Sequence, residues 1–145
     1  MRFIDSNVFI HAYIKPKRSL EEHEVRVKEE AKAIISSVKE GEEVVTTVVH
    51  IGEIANLLED LMPFQTALEV VRNILLKGNI HVASVGHDDY LSALTTAEEH
   101  RIGINDALAY AFMVQNGIER IYSFDKAFDK LKKITRLTSS SNMNK

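Results

Sequence analysis

The sequence predicts an α/β fold with a mainly parallel central sheet, in a single domain over residues 1–137. Short apolar runs typical of buried strands alternate along the chain with segments of helical periodicity, in the order β-α-α-β-α-α-β-α-α-β-α-β. Strands that are separated by helices pair in parallel through right-handed crossovers. The chain has 145 residues, which is enough to bury a substantial core. Residues 138–145, TSSSNMNK, are polar and are predicted to form a disordered tail.

In the amino-terminal half, caps and breaks separate the predicted elements. Pro16 ends the first helix, for which Ser6 or Asn7 can serve as the N-cap. The segment 19–22, SLEE, has the pattern of a capping box, and Gly41 stops the long helix that follows it. The predicted elements are a strand over 2–5, a helix over 6–14, the long helix, a strand over 43–47 and a helix over 48–60.

The carboxyl-terminal half continues the same alternation. Pro63 marks a new helix start, and glycines separate the later segments. The predicted elements are a helix over 64–77, a strand over 80–85, a helix over 88–100, a helix opened by Asp106, a strand over 118–124, a turn over 128–131 and an edge strand over 134–137.

Acidic residues stand at four of the resulting junctions. Asp5 and Asp125 each end an apolar run, and Asp106 opens a helix, so capping or the helix dipole explains each of them alone. Glu53 is harder to explain, because a charge inside a very apolar helix is costly unless it is paired or bound to a metal. In a parallel sheet, the carboxyl ends of strands and the amino ends of helices face one crevice. We therefore expect the four carboxylates to converge.

Convergence of four carboxylates predicts a metal site, because like charges repel unless cations neutralise them. Hard oxygen ligands select Mg²⁺ or Mn²⁺, and such a site suits phosphodiester hydrolysis by a metal-activated water. His50 lies three residues before Glu53 on the same helix, and we interpret it as a cap or packing residue. The sequence has no P-loop, dinucleotide-binding or nucleophile-elbow motif that would indicate a different chemistry.

Short motifs surround each of the four acidic residues. They are Ile4-Asp5-Ser6-Asn7, Gly52-Glu53-Ile54-Ala55, Asn105-Asp106-Ala107-Leu108-Ala109 and Ser123-Phe124-Asp125-Lys126-Ala127-Phe128. In this order and spacing they resemble the PIN domain family, most closely the VapC-type toxin ribonucleases of prokaryotic toxin–antitoxin pairs. The resemblance implies a three-layer α/β/α PIN-like fold whose central sheet has four to five strands.

The resemblance also implies a function, which is Mg²⁺- or Mn²⁺-dependent cleavage of RNA. A homodimer and a small antitoxin partner would follow from it. The implied catalytic residues, which would also hold the metal, are Asp5, Glu53, Asp106 and Asp125. Asn7 and Ser123 match polar positions that support the acidic residues or a bound water in such domains.

The net charge of −3 is not the usual signature of a nucleic-acid-binding protein. Because the four proposed ligands are all negative, the rest of the chain carries a net charge of +1. Basic residues follow both the first short helix and Asp125, next to the predicted site. We predict RNA phosphate contacts for Lys15, Lys17, Arg18, Lys126 and Lys130.

The expected compartment is the cytoplasm, without membrane association. The sequence has no cysteine, which fits a reducing compartment. Arg2 and Asp5 interrupt the first apolar residues, so no signal peptide is predicted. The two helices over 48–61 and 64–76 carry more apolar residues than one side of a small sheet can cover. They therefore predict a homodimer interface.

Other classes of protein remain open from the sequence. One is a catalytically silent PIN-type module that only binds RNA or protein, and another is a structure-specific DNA nuclease with the same metal chemistry. A third is a receiver-like signalling domain, which also gathers aspartates around Mg²⁺. That fold requires an acidic pair after the first strand, where Asp5 stands alone.

Overall fold

A computed structural model of the chain describes residues 1–140. Within this range it contains five β-strands, six α-helices and one 3₁₀ helix at Lys126–Lys130. The strands are β1 (Arg2–Ile4), β2 (Val44–Thr47), β3 (Ile80–Ala83), β4 (Arg120–Tyr122) and β5 (Thr135–Leu137). The helices are α1 (Ser6–Tyr13), α2 (Glu22–Lys39), α3 (Val48–Leu61), α4 (Phe64–Leu76), α5 (His87–His100) and α6 (Ile104–Gln115).

The five strands form one parallel sheet in the order β3-β2-β1-β4-β5. β1 lies at the centre, where Phe3 is paired with Val45 of β2 and with Ile121 of β4. Because the strands run the same way, the residues that follow β1 and β4 meet at one edge of the sheet. The predicted α/β fold with a parallel sheet is confirmed.

Helices cover both faces of the sheet. Successive residues of a strand point to opposite faces, and β1 shows this directly. Ile4 belongs to a core cluster with Ile34 of α2 and Ile54 of α3, whereas Phe3 belongs to a second cluster with Met113 of α6. Residues of α1 and α4 contribute to the first cluster, and α5 packs against α6. The result is a three-layer α/β/α arrangement.

Some element boundaries differ from the prediction for visible reasons. β4 spans residues 120–122 rather than 118–124, because the strands β1 and β5 that flank it are equally short. The capping box predicted at residues 19–22 is wrong. Instead, the side chain of Glu24 accepts a hydrogen bond from the backbone N of Glu21 at 3.1 Å, and Arg18 holds the same carboxylate at 2.8 Å. α2 therefore begins at Glu22.

Residues 138–140 are partly buried, and the remainder of the predicted tail, residues 141–145, lies outside the described residues. Within the described part of the chain, none of the helices has both the length and the apolar character that crossing a bilayer requires.

Candidate metal site

Asp5 directly follows β1 and lies at the centre of the candidate site. The residue is 4% exposed, and its Oδ1 accepts a hydrogen bond from the backbone N of Ser6 at 2.8 Å. Asp5 is therefore the N-cap of α1, and the prediction that Ser6 or Asn7 caps this helix is wrong. An acidic cap is favourable, because the helix presents free N–H groups and a positive partial charge there.

Ser123, the residue after β4, connects Asp5 to Asp125. Its hydroxyl donates to Asp5 Oδ2 at 2.7 Å and accepts from the backbone N of Asp125 at 3.0 Å. Asn7 lies beside this link, since its Nδ2 is 3.4 Å from Ser123 Oγ and its Oδ1 accepts from the backbone N of Phe124 at 3.3 Å. Ser123 thus orients the Asp5 side chain directly, and Asn7 holds the backbone segment that carries Ser123 and Asp125.

Asp125 caps the 3₁₀ helix, because its Oδ1 accepts from the backbone N of Ala127 at 2.9 Å. One of its oxygens is thereby fixed. Capping and membership of the acidic cluster are compatible roles for this residue, as they are for Asp5.

Glu53 projects from α3 into the same region and is half-buried. Its Oε1 accepts from the Ser6 hydroxyl at 2.9 Å, and its Oε2 accepts from Asn105 Nδ2 at 3.0 Å. The Asn105 side chain is held in turn by the hydroxyl of Tyr90 at 2.7 Å. Neutral donors therefore position this carboxylate, and no ion pair to it is found among the described residues.

Asp106 lies in the first turn of α6, next to Asn105, and it completes the cluster. Burial raises the pKa of Asp106 to about 7, and the negative charges of Asp5, Asp125 and Glu53 add to this effect. A hydrogen bond with Asp125 raises the pKa further, since Asp106 must carry the proton that it donates. The structure therefore brings all four predicted acidic residues close enough to interact electrostatically, and the ligand atoms of Asp5 and Glu53 lie within 4.8 Å of each other.

The electrostatics of the site favour an external cation. Burial raises the pKa of Asp5 to about 6, and the charges of Glu53 and Asp125 contribute. Arg136 is the basic side chain that interacts with Asp125, but it is already paired with Asp129 at 2.8 Å. The chain thus supplies more negative charge than it neutralises here.

These donors fit a hard divalent cation. Carboxylate oxygens are the ligands that Mg²⁺ and Mn²⁺ prefer. The hydrogen bonds from Ser6, Ser123 and Asn105 orient them in the way that outer-shell groups orient metal ligands. Ligand atoms of Asp5, His50 and Glu53 lie within 4.8 Å of one another.

His50 is fully buried beside this cluster. Its ring contacts Phe3 edge-to-face at a centroid distance of 5.2 Å, so the predicted packing role is confirmed. The N-cap of α3 is Thr47, whose hydroxyl accepts from the backbone N of His50 and lies 2.6 Å from its Nδ1. Burial lowers the pKa of His50 to about 4, so the ring is neutral near pH 7.

The predicted site residues do not include four polar residues at the site, which are Ser6, His50, Tyr90 and Asn105. Ser6 and Asn105 stand next to predicted ligands in the quoted motifs, so adjacency was an available signal. The spacing of three residues between His50 and Glu53 was a second signal. Nothing in the sequence indicates Tyr90.

The predicted phosphate-binding residues occupy two regions. Lys15, Lys17 and Arg18 line a cleft of about 760 Å³ that extends to Phe124, and Arg18 is paired with Glu24 at 2.8 Å. Much of the remaining wall is apolar and includes Ile14, Leu20, Val27 and Leu61. Lys126 and Lys130 are exposed on the 3₁₀ helix after Asp125.

A PIN domain family model matches residues 2–134. The chain therefore belongs to the PIN domain family, as its motifs predicted, and the receiver-like alternative is wrong. No curated protein matches the chain.

Solved structures share the fold at low sequence identity. VapC20 of Mycobacterium tuberculosis, described as a sarcin-ricin loop cleaving toxin, is 23% identical with a TM-score of 0.67, covering 89% of this chain and 93% of that chain. A toxin–antitoxin complex from Klebsiella pneumoniae is 11% identical with a TM-score of 0.64, covering 93% and 96%. VapBC2 of Rickettsia felis, bound to a promoter DNA fragment, is 11% identical with a TM-score of 0.61, covering 94% and 96%.

Proposed function

We propose that the chain is a Mg²⁺- or Mn²⁺-dependent endoribonuclease and the toxin of a VapBC-type toxin–antitoxin pair. The observation that carries this proposal is the convergence of four carboxylates with no ion pair to any of them in the described residues. Membership of the PIN domain family and the toxin structures that share the fold support it.

The acidic residues would act as ligands and orienting groups. Bound Mg²⁺ or Mn²⁺ would supply an activated water and neutralise charge on the scissile phosphate. Asp5 and Glu53 are held in place by neutral donors, which leaves their charge available to a cation. Asp106 is partly protonated near neutral pH in the metal-free protein, because its pKa is about 7. It must release that proton before all four side chains can act as ligands.

The RNA backbone would be held by basic side chains on both sides of the acidic edge. Lys126 and Lys130 are the first and last residues of the 3₁₀ helix that follows Asp125, and Lys15 and Lys17 line the neighbouring cleft. Such contacts to phosphates fix position without reading sequence. Arg18 would first have to leave its ion pair with Glu24.

The proposed partners are an antitoxin and a second copy of the chain, in the cytoplasm. Several structures that share the fold are complexes of a toxin with an antitoxin. Large apolar side chains are exposed on α3 and α4, including Phe64 at 63% and Leu76 at 76%, as a homodimer interface requires. A small DNA-binding protein encoded directly upstream would support the antitoxin, and sedimentation of a monomer would contradict the dimer.

Cleavage of purified RNA tests the proposed activity. Wild-type protein should cut total RNA with Mg²⁺ or Mn²⁺ and not with EDTA, and Asp106→Asn should not cut. Asp88→Asn is the matched control, because Asp88 is also a first-turn aspartate but is fully exposed on α5. Cleavage in EDTA, or cleavage by Asp106→Asn at the wild-type rate, would contradict the proposal.

Substrate comparison separates the remaining alternatives. RNA, single-stranded DNA and branched DNA are offered to the same preparation with Mn²⁺. Cutting of branched DNA alone would indicate the structure-specific DNA nuclease. Binding of RNA without cutting under any metal condition would indicate the silent module.

A further inference from the structure

The side chain of His50 has one ring nitrogen without a hydrogen-bond partner in the part of the chain that the structure describes. The residue is 0% exposed, and its Nε2 has no hydrogen-bond partner among those residues. A buried polar atom without a partner is costly, and in native structures it points to a specific role or an absent ligand.

The ring of His50 is held through its other nitrogen. Nδ1 is engaged by the Thr47 hydroxyl at 2.6 Å, which leaves Nε2 as the unpartnered atom. His50 lies one helical turn before Glu53, so the two side chains share a face of α3. Metal-binding histidines characteristically have one nitrogen held by a hydrogen bond while the other binds the ion.

We propose that His50 Nε2 is a further ligand of the cation held by Asp5 and Glu53. Ligand atoms of these three residues lie within 4.8 Å of one another, a spacing that one ion can bridge. This inference rests on the metal-dependent function proposed above and adds a nitrogen donor to its acidic ligands.

A nitrogen ligand changes which metal the site takes. Mg²⁺ prefers oxygen ligands and keeps much of its water shell. Imidazole favours first-row transition metals, with affinity rising from Mn²⁺ through Co²⁺. The site should therefore bind Mn²⁺ and Co²⁺ more tightly than Mg²⁺, to a degree that depends on His50.

A purely structural histidine predicts a different result. His50 packs on Phe3, and a backbone group of Asn105 lies near enough to act as a weak hydrogen-bond partner that raises the pKa of the ring, although it falls outside normal hydrogen-bond geometry. If packing and that backbone contact were its whole role, replacing the ring would change affinity for Mg²⁺ and Mn²⁺ by the same factor.

The variant His50→Asn separates these roles, because the Asn amide can still reach Thr47 while the Nε2 atom is lost. His87→Asn is the control, since His87 is exposed at the start of α5. Isothermal titration of metal-free protein with Mg²⁺, Mn²⁺ and Co²⁺ measures each affinity. We expect His50→Asn to lose about tenfold or more for Mn²⁺ and Co²⁺, with little change for Mg²⁺ and none in His87→Asn.

Pulsed electron paramagnetic resonance of Mn²⁺ bound to the wild-type chain supplies a test that does not need the variant to fold. A coupling to a directly bound nitrogen that changes on ¹⁵N labelling of histidine is expected. Mn²⁺ bound without that coupling, or equal losses for Mg²⁺ and Mn²⁺ in the variant, would overturn the role of His50 while leaving the nuclease proposal intact. Folded wild-type protein that binds none of the three metals would overturn both.

Discussion

Two partly buried polar clusters lie at different ends of the central strands and balance their charges differently. Near the amino ends of β1 and β2, Arg2 donates to the Tyr122 hydroxyl and lies 3.9 Å from Glu42 Oε2. The Tyr122 hydroxyl is 2.8 Å from the same Glu42 oxygen, and the hydroxyl of Ser37 donates to Oε1 at 2.8 Å. One positive and one negative charge meet, so this cluster is neutral within the chain.

The cluster at the carboxyl ends of β1 and β4 gathers four carboxylates instead. Its internal partners are hydroxyls, an amide and backbone N–H groups, which orient the carboxylates without cancelling their charge. Folding alone accounts for the first cluster and not for the second. The difference shows why a charge balance within the chain is more informative about function than burial, since both clusters contain buried and half-buried charged residues.

A substitution that breaks the neutral cluster should have the largest effect on stability. Arg2→Met should lower the free energy of unfolding by about 3 kcal/mol, because it leaves the largely buried side chain of Glu42 without its cation. Urea unfolding of metal-free protein measures this loss. Adding Glu42→Gln should recover part of it, since the two residues are coupled. A loss well under about 1 kcal/mol would mean that the pair is not a structural unit.

The acidic cluster should make the metal-free protein less stable as pH rises. Asp5 and Asp106 have folded-state pKa values of about 6 and about 7, above the ordinary value of 3.8. Between about pH 4 and pH 7, the folded state therefore holds more protons than the unfolded state. The stabilisation is complete below about pH 4 and is lost as pH rises through about 7.

Unfolding experiments near pH 5 and pH 8 should differ by about 2 kcal/mol from these two groups, after allowing for solvent screening at Asp106. The Asp106→Asn variant should show a smaller decline, because it retains only the shift of Asp5. Equal declines in both proteins would contradict the assignment of a raised pKa to Asp106.

A substitution with a smaller expected effect tests whether the two clusters are energetically independent. Tyr122→Phe removes the hydroxyl between Arg2 and Glu42 but keeps the ion pair and the packing, so it should cost about 1 kcal/mol. Its stabilisation by Mn²⁺ in thermal melts should equal that of the wild type. An altered response to Mn²⁺ would show that the clusters are coupled through β4.

Much of the fold follows from patterns that act locally. Alternation of apolar runs with helical segments predicts the parallel sheet, because crossover geometry leaves few other solutions. The ends of elements are less predictable, since they depend on tertiary partners. The start of α2 is an example, where Glu24 is held by Arg18 and by the backbone of Glu21.

The acidic site is predictable only in part, because it too depends on tertiary contacts. Strand ends and helix starts predict that the four carboxylates meet, and the motifs around them identify the family. Distances between residues far apart in the chain are not encoded locally. Examples are the hydrogen bond from Ser6 to Glu53, and the bond from Tyr90 that holds Asn105. His50 illustrates the limit most clearly, because only the structure shows that its Nε2 lacks a partner among the described residues.

The most direct test of the central claim is the stability of Asp106→Asn with and without Mn²⁺, measured by thermal and urea unfolding beside wild type. Without metal the variant should be at least as stable as the wild type, because a like-charge pair about 5 Å apart costs roughly 3 kcal/mol before screening and partial protonation of Asp106 reduce it. With Mn²⁺ at about 100 times its dissociation constant, the wild type should gain about 2.7 kcal/mol and the variant clearly less. The opposite pattern, in which the variant loses up to about 1 kcal/mol without metal and responds to Mn²⁺ like the wild type, would contradict a metal-binding role for Asp106.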